Sequence, residues 1–200
     1  MKINIPPYKK ALKECVLALK AGKTILYPTD TLYGIGADAT DIKAIKKIMK
    51  IKKRKDDKFS VIVEKERIGE YADVPKKYKK LLNIFLPGPY TFLLKAKKKI
   101  PIVKNNIIAI RVPKNKFCIL LSKALRKPII STSANISGKS PHYSFDLVPN
   151  TIKKQIEVLV DGGKCHYKKG STIIDLVNKK IVRIGAGYRK IKKYLANFHD

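Results

Sequence analysis

Thr24-Ile25-Leu26-Tyr27-Pro28-Thr29-Asp30-Thr31-Leu32-Tyr33-Gly34-Ile35-Gly36-Ala37 is the stretch on which the fold turns. Thr24 to Tyr27 is a short β-prone run that ends at Pro28, which cannot donate to a central ladder. Thr29 to Asp38 is rich in Thr, Asp and Gly and reads as a functional loop. Ligands in open α/β sheets bind at such strand ends. Upstream, residues 8–21 place Leu12, Cys15, Val16 and Leu19 at helical spacing, and Gly22 stops the helix. Downstream, Asp41 to Lys52 sets Ile42, Ile45, Ile48 and Met49 on one helical face. A strand at Phe59–Val63 follows. A helix opened by Pro75, with Tyr78, Leu81, Leu82 and Phe85 inward, ends at Pro87-Gly88-Pro89. Further strands are expected at 90–95, 107–112, 128–131, 157–160, 172–177 and 180–184, with helices at 116–125 and at the basic C-terminus, about 188–197. Ser133 to Ser140 reads as another exposed loop. Interleaved helices and strands predict one α/β domain over 1–200, with a mixed sheet.

Composition bounds the function. The chain has 200 residues, with 45 Lys and Arg against 15 Asp and Glu, a formal charge of +30. A 44% hydrophobic share suits a globular chain. No apolar run approaches the ~18 residues of a membrane span, and Met1 to Pro7 lacks a secretory core, so a cytoplasmic protein without a membrane partner is expected. The charge points to polyanions: RNA, DNA or nucleotides. Direct RNA contact is expected, and Lys76–Lys80 and Arg189–Tyr194 could lie along a phosphate backbone, although each stretch also reads as an amphipathic helix with a solvated Lys face, the commoner case. Cys15, Cys118 and Cys165 are widely spaced, and His142, His166 and His199 do not cluster, so no disulfide or zinc site is indicated.

Several motifs fail. Gly22-Lys23-Thr24 and Gly138-Lys139-Ser140 lack the first glycine and the following helix of a phosphate loop. Gly185-Ala186-Gly187 lacks the third glycine of a dinucleotide fingerprint. No Gly-x-Ser-x-Gly elbow is present. Four segments hold more chemistry than packing needs: Tyr27–Ala37; Lys52-Lys53-Arg54 with Lys58; Ser131–Gly138; and Arg111 with Gly170-Ser171-Thr172 and Arg183. Helix-dipole complementarity explains Lys52 and Lys53 but not Arg54, whose planar fork suits phosphate or carboxylate. With no nucleophile or paired carboxylate in view, these residues fit phosphoryl or nucleotidyl chemistry driven by positioning and charge neutralisation.

Six motifs in order resemble the YrdC family, the threonylcarbamoyl-AMP synthases. They are Tyr27 to Gly34, Lys52-x-Arg54, Pro87-Gly88-Pro89-x-Thr91, Arg111-Val112-Pro113, Ser133-Ala134-Asn135-x-Ser137-Gly138 and Ser171 to Asp175, within about residues 8–187. The resemblance implies a twisted open α/β sheet with helices on its faces and a large positive cavity. It implies that L-threonine, bicarbonate and ATP give threonylcarbamoyl-AMP and pyrophosphate, for a downstream threonylcarbamoyl-transferase complex acting on tRNA. By motif, Thr31, Arg111, Ser131 and Ser171 would hold threonine; Lys52, Arg54, Lys58, Ser133, Asn135 and Arg183 would hold ATP, with Lys52 and Arg54 catalytic. Mg²⁺ would ride on the ATP phosphates with no protein ligands of its own. Lys55 and Phe59 replace prolines common in relatives, which predicts a looser turn before Lys58. The chain ends near the core, so the extra domain of longer relatives is expected to be absent and closure to fall to the C-terminal helix. Two other readings are an RNA-binding module of the same fold, contacting tRNA or double-stranded RNA without adenylate synthesis, and a carbamoyl-adenylate enzyme with another acceptor.

Overall fold

The structure, a computed structural model, describes residues 1–196. His199 and the last residue of the helix expected at 188–197 lie outside the described residues. In chain order the elements are β1 (Lys2–Asn4), α1 (Tyr8–Lys20), β2 (Ile25–Pro28), β3 (Tyr33–Gly36), α2 (Ile42–Ile51) and β4 (Ser60–Ile62). A 3₁₀ turn at Lys65–Arg67 leads to α3 (Ile68–Tyr71), β5 (Ala72–Asp73), α4 (Lys76–Phe85), β6 (Tyr90–Ala96) and β7 (Ile107–Arg111). Then come α5 (Lys116–Leu125), β8 (Ile129–Ser133), α6 (Asn150–Lys153), β9 (Val158–Asp161), β10 (Thr172–Asp175), β11 (Lys180–Arg183) and α7 (Tyr188–Ala196). The expected α/β class holds. The sheet runs β1-β9-β2-β3-β8-β4-β7-β6-β10-β11, with β5 on the far end of β6, and mixes parallel and antiparallel pairs.

Thr29 turns the expected loop into a hairpin. Its hydroxyl accepts the N–H groups of Thr31 and Leu32 at 3.1 and 3.2 Å and donates to the Leu32 carbonyl at 2.7 Å. Tyr33–Gly36 therefore returns as β3, antiparallel to β2, where the residue composition reads as continuous loop. Gly36 is required there, because a Cβ would lie 2.8 Å from the Tyr27 ring. The sequence reading also lacks β1, β5, α3 and α6, which are too short for a periodic signal.

Alternation sorts the sheet's side chains onto two faces. Ile25, Tyr27, Ile62, Ile129, Val158 and Val160 face α1 and α5, which pack against each other. Leu26, Ile35, Val61 and Ile130 face the larger core, which also holds α2 and α4. The Asp41 carboxylate caps α2, accepting from the N–H groups of Lys43 and Ala44 at 2.8 and 3.2 Å. The helix ends with Lys53 at φ +49°, and the Arg54 N–H returns to the Met49 carbonyl.

Two expectations about the ends of the site need correction. The helix expected to close the site, α7, instead buries Ile191 and packs Tyr194 edge-on against Phe85, while the Tyr90 hydroxyl donates to the Gly187 carbonyl. Ser133–Ser140 is not simply exposed either, since Ala134 and Asn135 are buried.

Replacing the cap, Asp41→Ala, is expected to lower stability by about 1 kcal/mol. For a chain of this length that is a drop of about 2–4 °C in melting temperature, measurable by calorimetry.

Candidate active site

Strand register builds the floor of one cavity of about 1000 Å³. Ser131 pairs with Ser60, Ser60 with Ala109, and Ala109 with Leu93. One pleat along, Thr91 pairs with Ile173 and Ile173 with Arg183, and the β6–β7 register brings Arg111 level with Thr91. Paired positions project to the same face. Both rows line the cavity, while the alternate residues Phe92, Leu94, Ile108 and Ile110 enter the larger core.

Arg111 is buried at one end of its row, 7% exposed. Its NH2 donates to Asp30 Oδ1 at 3.1 Å and Thr31 Oγ1 at 2.8 Å, and its NH1 reaches Ser131 Oγ at 3.4 Å. Asp30 Oδ2 accepts the Lys114 N–H at 3.0 Å. Arg111 Nε is buried without a protein partner. A buried N–H is costly when unpaired, so this donor marks a place for a ligand acceptor.

At the other end, Arg183 donates through Nε and NH2 to the Ser171 carbonyl at 3.0 and 2.9 Å, and through NH2 to Ser171 Oγ at 3.0 Å. Ser171 Oγ also shares a hydrogen bond with Thr91 Oγ1 at 2.8 Å. Burial, then the charge of Arg111, lowers the Arg183 pKa.

The wall opposite is tied by Lys52. Its ammonium donates to the Ser133 carbonyl at 2.6 Å, the Asn135 carbonyl at 2.8 Å and Asn135 Oδ1 at 3.3 Å. Dipole complementarity at the end of α2 therefore does not describe Lys52, which is buried and turned inward, 3% exposed. Burial and the neighbouring Arg54 pull its pKa down to about 8. Asp56 pairs with Arg54, accepting from Nε at 2.8 Å and NH2 at 2.6 Å, and also accepts the Lys58 N–H at 3.1 Å. Phe59 is buried beneath the Arg54 guanidinium, 5.2 Å from ring centre to Cζ. The turn expected to be loose is thus tied by Asp56 and backed by Phe59.

All ten residues singled out from the sequence line this cavity: Thr31, Lys52, Arg54, Lys58, Arg111, Ser131, Ser133, Asn135, Ser171 and Arg183. Sequence reasoning missed Asp30, Asp56, Ser60, Thr91 and Lys104. Asp30 and Thr91 stood inside quoted motifs, and that was their only signal. Seven lining residues are Lys or Arg and one, Asp56, is acidic, so the cavity suits anionic ligands. No Cys or His lines it, and among the described residues no cluster of three His, Cys, Asp or Glu could hold a metal. The arrangement can position anions and neutralise developing charge; it offers no activated protein nucleophile.

Three comparisons with known proteins bear on this site. A Sua5/YciO/YrdC family model, described as "Telomere recombination", matches residues 17–185. A Methanocaldococcus jannaschii relative is 40% identical over 194 residues, covering 96% of this chain and 92% of its own length. A Wigglesworthia glossinidia brevipalpis protein named threonylcarbamoyl-AMP synthase is 35% identical over 186 residues, covering 87% of this chain and 93% of its own. The crystal structure of Pyrococcus abyssi Sua5 complexed with L-threonine superposes with a TM-score of 0.87 at 27% identity; the match covers 100% of this chain and 61% of that longer one.

Asp30→Ala strips the buried Arg111 of its carboxylate and the Lys114 N–H of its acceptor. Breaking a buried pair this way is expected to cost about 3–5 kcal/mol of stability, read by urea denaturation.

Proposed function

Because the chain belongs to the Sua5/YciO/YrdC family, we propose that this cavity makes threonylcarbamoyl-AMP from L-threonine, bicarbonate and ATP. The protein is a nucleotidyltransferase of tRNA modification. The observation that carries the reading is the orphaned Arg111 Nε in a cavity of seven cations: a zwitterion's carboxylate supplies the missing acceptor, and a triphosphate supplies the missing charge.

In this reading threonine lies on the floor. Its carboxylate meets Arg111, and its hydroxyl and amine lie among Thr31, Ser131 and Ser171. ATP lies along the opposite wall, with Arg54, Lys58, Ser133 and Asn135 on its phosphates and Arg183 where the two substrates meet. Arg54 exchanges Asp56 for phosphate. Lys52 supplies charge behind Ser133 and Asn135. The threonine amine takes up bicarbonate as a carbamate, and a carbamate oxygen attacks the α-phosphorus while pyrophosphate leaves. The cations oppose charge growing on the leaving group, which is where preorganised electrostatics lowers a barrier. Among the described residues no group of three His, Cys, Asp or Glu stands together; an Mg²⁺ carried on the ATP phosphates would shield their charge beside Arg54 and Lys58. The product passes to a transferase complex that modifies tRNA. The Lys-rich surface favours transient contact with that RNA, and the protein works in the cytoplasm; among the described residues no helix is long and apolar enough to cross a membrane.

Pyrophosphate release is expected to require ATP, threonine and bicarbonate together, followed by a coupled colorimetric assay; release that persists without threonine would refute the reaction. Arg111→Ala is expected to weaken threonine binding and spare ATP. Arg54→Ala is expected to cost about 2–4 kcal/mol in transition-state stabilisation, seen as a fall in kcat/KM.

Lys52 also sets a pH dependence. Below about 8 it is charged and attracts the triphosphate; as pH rises through about 8 that charge is lost. ATP binding, measured by calorimetry without threonine or bicarbonate, is expected to weaken across that interval and to take up protons above it. Lys52→Met should flatten the profile.

A further inference from the structure

The two arginines of the floor differ in one respect. Arg111 has a carboxylate, Asp30; Arg183 has none within ion-pair distance among the described residues. Its guanidinium is nevertheless held still. Nε and NH2 grip the Ser171 carbonyl, and Ser171 Oγ ties NH2 to Thr91 through hydrogen bonds of 3.0 and 2.8 Å. Among the described residues its NH1 has no acceptor, and Arg183 is exposed at the cavity's edge, so this N–H can meet a ligand. Gly170 lies beside this seat, where a Cβ would make a tight contact of 3.3 Å with Arg183 NH2. The register keeps Arg183 in one row with Ile173, Thr91 and Arg111, and all four line the cavity. The charge of Arg111 is felt at Arg183.

We propose that Arg183 holds the carboxylate of the carbamate formed on the threonine amine and presents it to the α-phosphorus. The inference rests on the function proposed above and adds the place of the third substrate. In the first step the neutral amine nitrogen bonds to the bicarbonate carbon and water is lost: R–NH₂ + HCO₃⁻ gives R–NHCOO⁻ + H₂O. The product carries two carboxylates, separated only by the nitrogen and Cα. Two cations on one row match that dianion: Arg111 for the amino-acid carboxylate and, from the far end of the row, Arg183, whose guanidinium reaches back through Ser171 toward Thr91, for the new one. In the second step a carbamate oxygen bonds to the α-phosphorus, and the bond to pyrophosphate breaks with its electron pair leaving on pyrophosphate. A guanidinium on the carbamate then lies beside the α-phosphoryl oxygens, which reconciles this role with the ATP contact implied by resemblance. A charge-assisted N–H···O⁻ bond from NH1, on a guanidinium already fixed through its other two nitrogens, is what would orient the carbamate.

The test uses the full chain with Arg183→Gln and Arg183→Lys, each checked for an unchanged melting temperature. Product formation is followed with labelled bicarbonate at saturating threonine and ATP. Threonine and ATP dissociation constants are measured separately by calorimetry. Arg183→Gln is expected to raise the apparent KM for bicarbonate at least tenfold, with the threonine dissociation constant within about threefold of the parent and the ATP dissociation constant raised by less than the bicarbonate KM, and Arg183→Lys to recover part of the loss. A tenfold loss in threonine or ATP binding with an unchanged bicarbonate KM overturns the proposal. If Arg183→Gln turns over too slowly to titrate, Arg183→Lys decides: a raised bicarbonate KM supports the role, and a lowered kcat alone overturns it. The unsubstituted chain's own requirement for all three substrates tests the parent reading separately.

Discussion

A guanidinium can sit inside a sheet only if something answers its charge. At Arg111 the answer is Asp30, and much of the site follows from that one pair. Asp30 stands in the Thr29–Leu32 turn, so anchoring Arg111 also anchors the β2–β3 hairpin. Its second oxygen holds the chain leaving β7 at Lys114. The pair is therefore a joint between two distant parts of the sheet as well as a charge balance. It still leaves Nε buried without an acceptor in a residue that lines the cavity.

Lys52 solves a similar problem with dipoles. Three acceptors for three N–H groups leave the ammonium well hydrogen-bonded but not neutralised. The carbonyls hold it in place, and its charge projects through them into the cavity. Because two acceptors are backbone groups at the end of β8, the same bonds set the path of the chain between Ser133 and Asn135. Asp56 plays the complementary part on the neighbouring turn, keeping Arg54 extended over Phe59 in the absence of a polyanion. The cavity is thus a frame of cations with too few counterions, a state that favours anionic ligands and needs rigid walls to persist.

The excess charge of the whole chain has a wider distribution than this site. Many lysines lie on exposed helix faces, as on α4, where Lys76, Lys77, Lys79 and Lys80 surround a buried Tyr78 and Leu81. Those residues agree with an amphipathic helix. The basic helix α7 is spent differently: its Tyr194 packs against Phe85, and the Gly187 carbonyl just before it accepts from the Tyr90 hydroxyl, so it buttresses the strand end that carries Thr91, and none of its residues lines the cavity.

Local pattern carried a large part of this protein. Helical spacing marks α1, α2, α4 and α5, because 3.6-residue periodicity is written in neighbouring residues, and the strand centres follow from β-branched runs bounded by Pro and Gly. The motif residues Thr31, Arg54, Arg111, Asn135 and Ser171 stood out by type alone, as polar groups beyond what packing needs. Tertiary structure decided the rest. Asp30 gains meaning from a partner 81 residues away, Lys52 from carbonyls on another strand, and Arg183 from its register against Ser171 and Thr91. Tyr33–Gly36 becomes a strand because β2 and β8 flank it, which its glycines argue against. The physical reason is common to all four. A residue's periodicity and chemistry are local properties, whereas burial, charge compensation and strand pairing depend on which distant segment lies opposite.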